Sequence, residues 1–184
     1  MDRRLFLQFP LVAAAMVKGF EIKTRDRSEK GFKVSSGTDR FLNELEVMGG
    51  QFDCLISAKD TGGDMCIYNT IRKERGGPAF HLHHYQDEWF FVIKGEFIVR
   101  VGDEMLNLKP GDSAFAPRKV PHAFAKINED PAQMLVLFQP AGSMEDFFLQ
   151  MSKLGSSIPK DQEKVLKDLW RKYGMEIVGP PLKF

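Results

Sequence analysis

The sequence predicts an all-β domain, a sandwich or barrel, followed by a pair of short helices. Three observations lead there. From Gln51 to about Gln139, short runs rich in Val, Ile, Phe and Leu recur between Gly, Pro, Asn and Asp turn residues. Many short strands at this spacing are the mark of a sandwich or barrel. Several runs alternate in polarity, as in Glu96-Phe97-Ile98-Val99-Arg100-Val101, the period of a half-buried strand. The C-terminal stretch spaces its apolar residues at helical intervals instead.

The elements follow in chain order. Residues 1–17 begin with Arg3-Arg4 and Leu5-Phe6-Leu7, continue as a short apolar run and offer Ala13-Ala14-Ala15. This pattern resembles a twin-arginine export signal with Gln8 in place of its lysine, which implies a periplasmic or exported protein. The other reading is an N-terminal strand or helix packed on the barrel, in a cytoplasmic protein. The run is too short to span a bilayer. Residues 18–50 are polar and mixed, an arm with one short strand expected around Phe32–Val34. The barrel is expected over residues 51–141. Its strand candidates are FDCLISA, DMCIYNTI, AFHLHH, EWFFVI, EFIVRV, EMLNL, SAFAP, HAFAKI and AQMLVLFQ. Turns fall at Lys94-Gly95, Gly102-Asp103, Lys109-Pro110-Gly111-Asp112 and Asn128-Glu129-Asp130-Pro131.

A helical extension is expected over residues 142–184. Met144, Phe147, Phe148, Met151 and Leu154 share one helical face, with Ser143 and Asp146 as a variant capping box. Val165, Leu166, Leu169, Trp170 and Tyr173 share another over Asp161–Tyr173, which Gly174 should stop. The expected role of both stripes is packing on the barrel.

Composition narrows the function. With 26 basic and 25 acidic residues in 184, the formal net charge is +1. That balance gives no electrostatic reason to propose a nucleic-acid partner. Sixteen phenylalanines predict an aromatic-rich core or pocket. Cys54 and Cys66 form no CxxC pair, so a cysteine zinc site is not expected. Two buried thiols are the simpler reading, a disulfide the alternative in an exported chain.

The informative stretch is Phe80–Phe91, FHLHHYQDEWFF, which holds three of the four histidines of the chain. In a strand His81 and His83 share a face, and Glu88, beyond a short bend, can return to it. His122 is the fourth histidine. Three imidazoles and a carboxylate suit a divalent first-row metal by ligand type: Fe, Mn, Ni, Co, Cu or Zn. Phe90 has the parity of Glu88, and Phe124 that of His122, which makes both candidates for lining a substrate cavity. Asp87 competes with Glu88 as a ligand.

The pattern His81-x-His83-x4-Glu88-x6-Gly95 resembles the first motif of the cupin superfamily, spacing included. Gly111-x5-Pro117-x-Lys119-x2-His122-x3-Lys126 resembles the second, with Lys119 in place of a glycine and Lys126 in place of an asparagine. Ahead of His81, the expected glycine is Arg75, with Gly76 and Gly77 just after it. The resemblance covers roughly residues 51 to 140. It implies a double-stranded β-helix, or jelly-roll barrel, with His81, His83, Glu88 and His122 as ligands of one divalent transition metal inside the mouth. His84 should face away, in a supporting role. The stretch is most similar to small quercetin-dioxygenase-like cupins. That implies a metal-dependent dioxygenase-type oxidoreductase on a small aromatic or enol substrate, with Glu88 as the catalytic base. The superfamily also holds isomerases, decarboxylases and binders without turnover. A decarboxylase of small acids would need an inward cation, from Arg72, Arg100 or Arg118. By the same analogy the chain is expected to form a homodimer, with no membrane partner.

Overall fold

The structure, a computed structural model, describes residues 26–155 and 163–183. The export-signal reading of residues 1–17 lies outside the described residues. The strands are β1 (Glu46–Val47), β2 (Gly50–Ile56), β3 (Cys66–Arg72), β4 (Ala79–His83), β5 (Asp87–Lys94), β6 (Phe97–Val101), β7 (Glu104–Leu108), β8 (Ser113–Ala116), β9 (His122–Lys126) and β10 (Ala132–Gln139). Helices α1 (Met144–Leu154) and α2 (Glu163–Lys172) and strand β11 (Met175–Pro181) complete the chain. The strands form two antiparallel sheets, ordered β1-β2-β3-β10-β5-β8 and β11-β4-β9-β6-β7. This is the jelly-roll arrangement that the sequence led one to expect.

Alternation decides which side chains fill the barrel. Cys66, Tyr68, Thr70 and Arg72 of β3 point inward and are buried, as are Glu88, Phe90 and Val92 of β5. Strand β9 is buried at every position. Both cysteines are buried and free, and burial pushes the Cys54 thiol up to about 12. A reactive role would need the opposite shift.

Three local expectations need correction. Phe32–Val34 is not a strand; among the described residues the arm's ladder comes later, where β1 pairs with β2, and a buried side chain organises the stretch before it. The buried Asp39 carboxylate accepts hydrogen bonds from the backbone N–H groups of Phe41, Asn43 and Cys54, and the Arg40 N–H donates to the Cys54 carbonyl. Ser143 stands at the N-cap of α1 but makes no side-chain capping bond. Glu145 in the first turn instead accepts from the Ala58 N–H at 2.8 Å, tying α1 to the turn after β2. On α2, Trp170 is buried while Val165 is exposed, so the packed face is narrower than its apolar pattern.

Strand β11 had no sequence expectation. Its Gly179, Pro180 and Pro181 weaken a strand signal, yet it pairs with β4 at the sheet edge, with Met175 opposite His83. Proline is tolerated there because an edge strand has one unpaired side. Among the described residues, no helix is long and apolar enough to cross a membrane.

Candidate metal centre

The two facing sheets each supply part of one cluster. His81 and His83 lie on β4 and His122 on β9, where His81 and His122 are directly paired across strands. Glu88 comes from β5 in the opposite sheet, paired with Phe138 and Ala116. All four side chains are buried, and one ligand-capable atom from each lies within 4.8 Å of the others. The Nε2 atoms of His81 and His83 are 3.2 Å apart. Glu88 Oε2 lies 2.8 Å from His122 Nε2 and 3.3 Å from His83 Nε2.

Backbone carbonyls orient two of the rings. His81 Nδ1 lies 2.8 Å from the Ala79 carbonyl, and His122 Nδ1 2.9 Å from the Val120 carbonyl. A carbonyl only accepts, so each Nδ1 carries a proton and each Nε2 is the atom aimed at the centre. Metal-ligating imidazoles are commonly held this way.

The electrostatics match a site for a cation. Burial, together with the His122 and His83 charges, pushes the His81 imidazole well below its ordinary range and keeps it neutral. Burial would raise the Glu88 carboxyl, but hydrogen bonds and charge from His122 and His83 outweigh it and hold Glu88 ionised. Burial would lower His122, but the adjacent Glu88 carboxylate prevails and raises it. A buried carboxylate surrounded by three imidazole nitrogens needs positive charge at its centre. A proton on His122 supplies some, and a divalent ion supplies more. The donor set therefore fits a divalent transition metal held by His81, His83, Glu88 and His122.

The cluster opens into a small cavity of about 30 Å³. Its walls are mostly apolar: Phe52, Phe124 and Phe138 from the barrel, Phe147 and Phe148 from α1, and Trp170 from α2. Trp170 meets His81 edge-on, with ring centroids 4.8 Å apart. Of the two phenylalanines proposed for the cavity, Phe124 lines it. Phe90 lies behind the site, fully buried against Phe124 and His122.

The remaining candidates separate cleanly. Asp87 sits outside the cluster and pairs with Arg118, whose side chain contacts it at 2.6 and 3.0 Å. The hydrogen bonds and charge of Arg118 hold the Asp87 carboxyl below its usual range. Arg118 is thereby engaged, and Arg100 donates to the Gly102 carbonyl. His84 faces outward, half-exposed, 3.8 Å from Glu176, so it does not support the cluster. Arg72 alone of the three arginines lines the cavity. Its parity with Cys66, Tyr68 and Thr70 was the available signal. The cavity wall contributed by α1 and α2 went unread, because a helical apolar stripe looks the same whether it covers a core or a cavity.

Residues 70–138 match the Cupin_2 family, a cupin domain. Among curated proteins, the chain is 38% identical over 60 residues to an uncharacterized protein of Streptomyces coelicolor, covering 33% of this chain and 56% of that one. It is 23% identical over 103 residues to quercetin 2,3-dioxygenase of Bacillus subtilis, covering 55% of this chain and 30% of the enzyme. The chain thus spans about half the length, or less, of these curated relatives. Among solved structures, an RmlC-like cupin from Shewanella frigidimarina aligns with a TM-score of 0.51 at 22% identity, covering 66% of this chain and 98% of that one. That likeness is one of fold.

Proposed function

Residues 70–138 match a cupin domain family, and from that premise we propose that the chain is a metal-dependent oxidoreductase of the dioxygenase type. Its substrate is a small aromatic or enol compound bound in the cavity over the metal centre. The observation that carries this reading is the apolar, aromatic character of the cavity into which His81, His83 and Glu88 open. Such a wall suits a planar organic molecule, with few polar groups to orient it. The distant likeness to a quercetin dioxygenase agrees with the class.

A redox-active divalent metal, when bound, supplies the one-electron chemistry that dioxygen needs to react with a closed-shell substrate. The protein does the rest. His81, His83 and His122 hold the ion through Nε2, the first and last oriented by their carbonyl partners. Glu88 stays ionised and, on this reading, takes the substrate hydroxyl proton. Phe147, Phe148 and Trp170, all buried, form the apolar wall of the cavity.

An oxygen electrode tests the reading. Protein loaded in turn with Fe, Mn, Ni, Co and Cu is mixed with quercetin and with simpler aromatic enols. The expected result is oxygen uptake matching substrate loss, abolished in Glu88→Ala. Substrate turnover without oxygen uptake would replace this reading with an isomerase or decarboxylase. Saturable binding without any turnover would replace it with a binding protein.

A further inference from the structure

Arg72, at the end of β3, is 3% exposed and lines the same cavity as His81, His83 and Glu88. A buried guanidinium normally has a carboxylate beside it, because an unpaired buried charge is costly. Among the described residues, Arg72 forms no ion pair. One Nη donates to the Met48 carbonyl, and Nε has no partner. Burial lowers its pKa to about 10, which leaves it charged at neutral pH.

A second buried cation in the barrel shows what a purely structural one looks like. Lys126 is fully buried, and its Nζ donates to the carbonyls of Lys73, Asn128 and Glu129 at 2.8, 2.7 and 3.1 Å. Three donors meet three acceptors. Arg72 has five N–H groups, keeps donor capacity and lines a cavity.

The surroundings hold the guanidinium in place. Its central carbon lies 5.6 Å from the centroid of the Phe124 ring, within cation–π range. Gly50 leaves it room, since a Cβ there would stand 2.8 Å from Nη1. Trp170 Nε1 is a second buried N–H without a partner among the described residues, and Trp170 lines the same cavity. Both are donors; a third unmet atom among the cavity-lining residues, His83 Nδ1, belongs to the ligand set. Glu88, the carboxylate of the cavity, is committed to His122 and His83.

We infer that the cavity takes an organic anion, a small aromatic or enol acid whose carboxylate is received by Arg72, with Trp170 Nε1 as an additional donor. The inference names the substrate class of the proposed function and rests on that reading for the use of the cavity. Guanidinium is suited to it, because its planar fork matches a carboxylate in two parallel hydrogen bonds.

Calorimetric titration with benzoate and benzamide, probes of like shape that differ in charge, tests it. Each is titrated into the protein as purified and after chelator treatment, with metal content measured on the same samples. Benzoate should bind roughly tenfold or more tightly than benzamide in both states. Arg72→Met should remove that preference, and Arg72→Lys should keep part of it. Equal affinities overturn the inference, as does no benzoate binding at millimolar concentration. A preference that survives Arg72→Met, or that disappears with the metal, also overturns it. If circular dichroism shows Arg72→Met unfolded, the comparison in chelator-treated wild type decides alone. Protein that never holds metal yet prefers benzoate through Arg72 would overturn the metal-dependent reading and leave the anion site standing.

Discussion

Lys119 adopts the left-handed backbone region, with φ of 67°. It stands where the cupin motif has a glycine, and the geometry gives the reason: the backbone must turn there so that the Lys119 N–H can donate to the His83 carbonyl at 2.7 Å. A residue with a Cβ resists that conformation by about 1–2 kcal/mol, and part of the gain from glycine is lost to unfolded-chain entropy. Lys119→Gly should therefore stabilise the protein by about 1 kcal/mol and raise Tm by roughly 3 °C, read by calorimetry, with metal content unchanged. The motif's asparagine has been replaced differently. Lys126 satisfies three carbonyls from inside the barrel, which no charge or hydropathy pattern would have revealed. The four residues that the cupin resemblance pointed to do come together, while alternation by itself placed only His81 and His83 on one face. The direction of Arg72 was not read from the sequence, although its parity with Tyr68 and Thr70 carried the signal.

At the scale of elements, β9 is the least replaceable strand, since it carries His122 and is buried throughout. Gly77 passes so close that a Cβ on it would fall 1.8 Å from the Phe124 carbonyl oxygen. The clash is with backbone, so a rotamer change cannot relieve it. Gly77→Ala should cost more than ~2 kcal/mol by chemical denaturation and lower metal content by shifting His122. Equal stability and full metal loading would contradict the close approach. The sequence showed glycines one and two steps late relative to the motif, and this packing explains why the second, Gly77, is needed. Strand β11 was hidden by its prolines; its pairing partner β4 lies far away in sequence, and local pattern carries no information about that distance.

Across the whole molecule, the site depends on both sheets and on the C-terminal helices together. Glu88 faces the three histidines from the opposite sheet, so a bound ion ties the sheets to each other in the folded state only. Metal should raise Tm, by an amount equivalent to roughly 4 kcal/mol at a free concentration a thousandfold above Kd. Protons compete for the same Nε2 atoms. Because Glu88 raises the His122 pKa, the metal-dependent gain should be present at high pH and decline as pH falls, starting above the ordinary histidine range. Calorimetry with and without metal between neutral and acid pH checks the sign. Trp170, against both His81 and Phe147, reports from the cavity wall. Paramagnetic Co, Ni or Cu should quench a fluorescence component that Trp170→Phe lacks. The helical stripes were legible as packing faces, but their service as a cavity wall needed the tertiary structure.

The central claim is that His81, His83, Glu88 and His122 hold one transition metal ion. Elemental mass spectrometry tests it most directly, on protein purified without an affinity-metal step, alongside a His81→Ala/His122→Ala variant. About one Fe, Mn, Ni, Co, Cu or Zn per chain in the wild type, lost in the folded variant, is the predicted result. Wild-type protein that stays metal-free after incubation with those ions would contradict it.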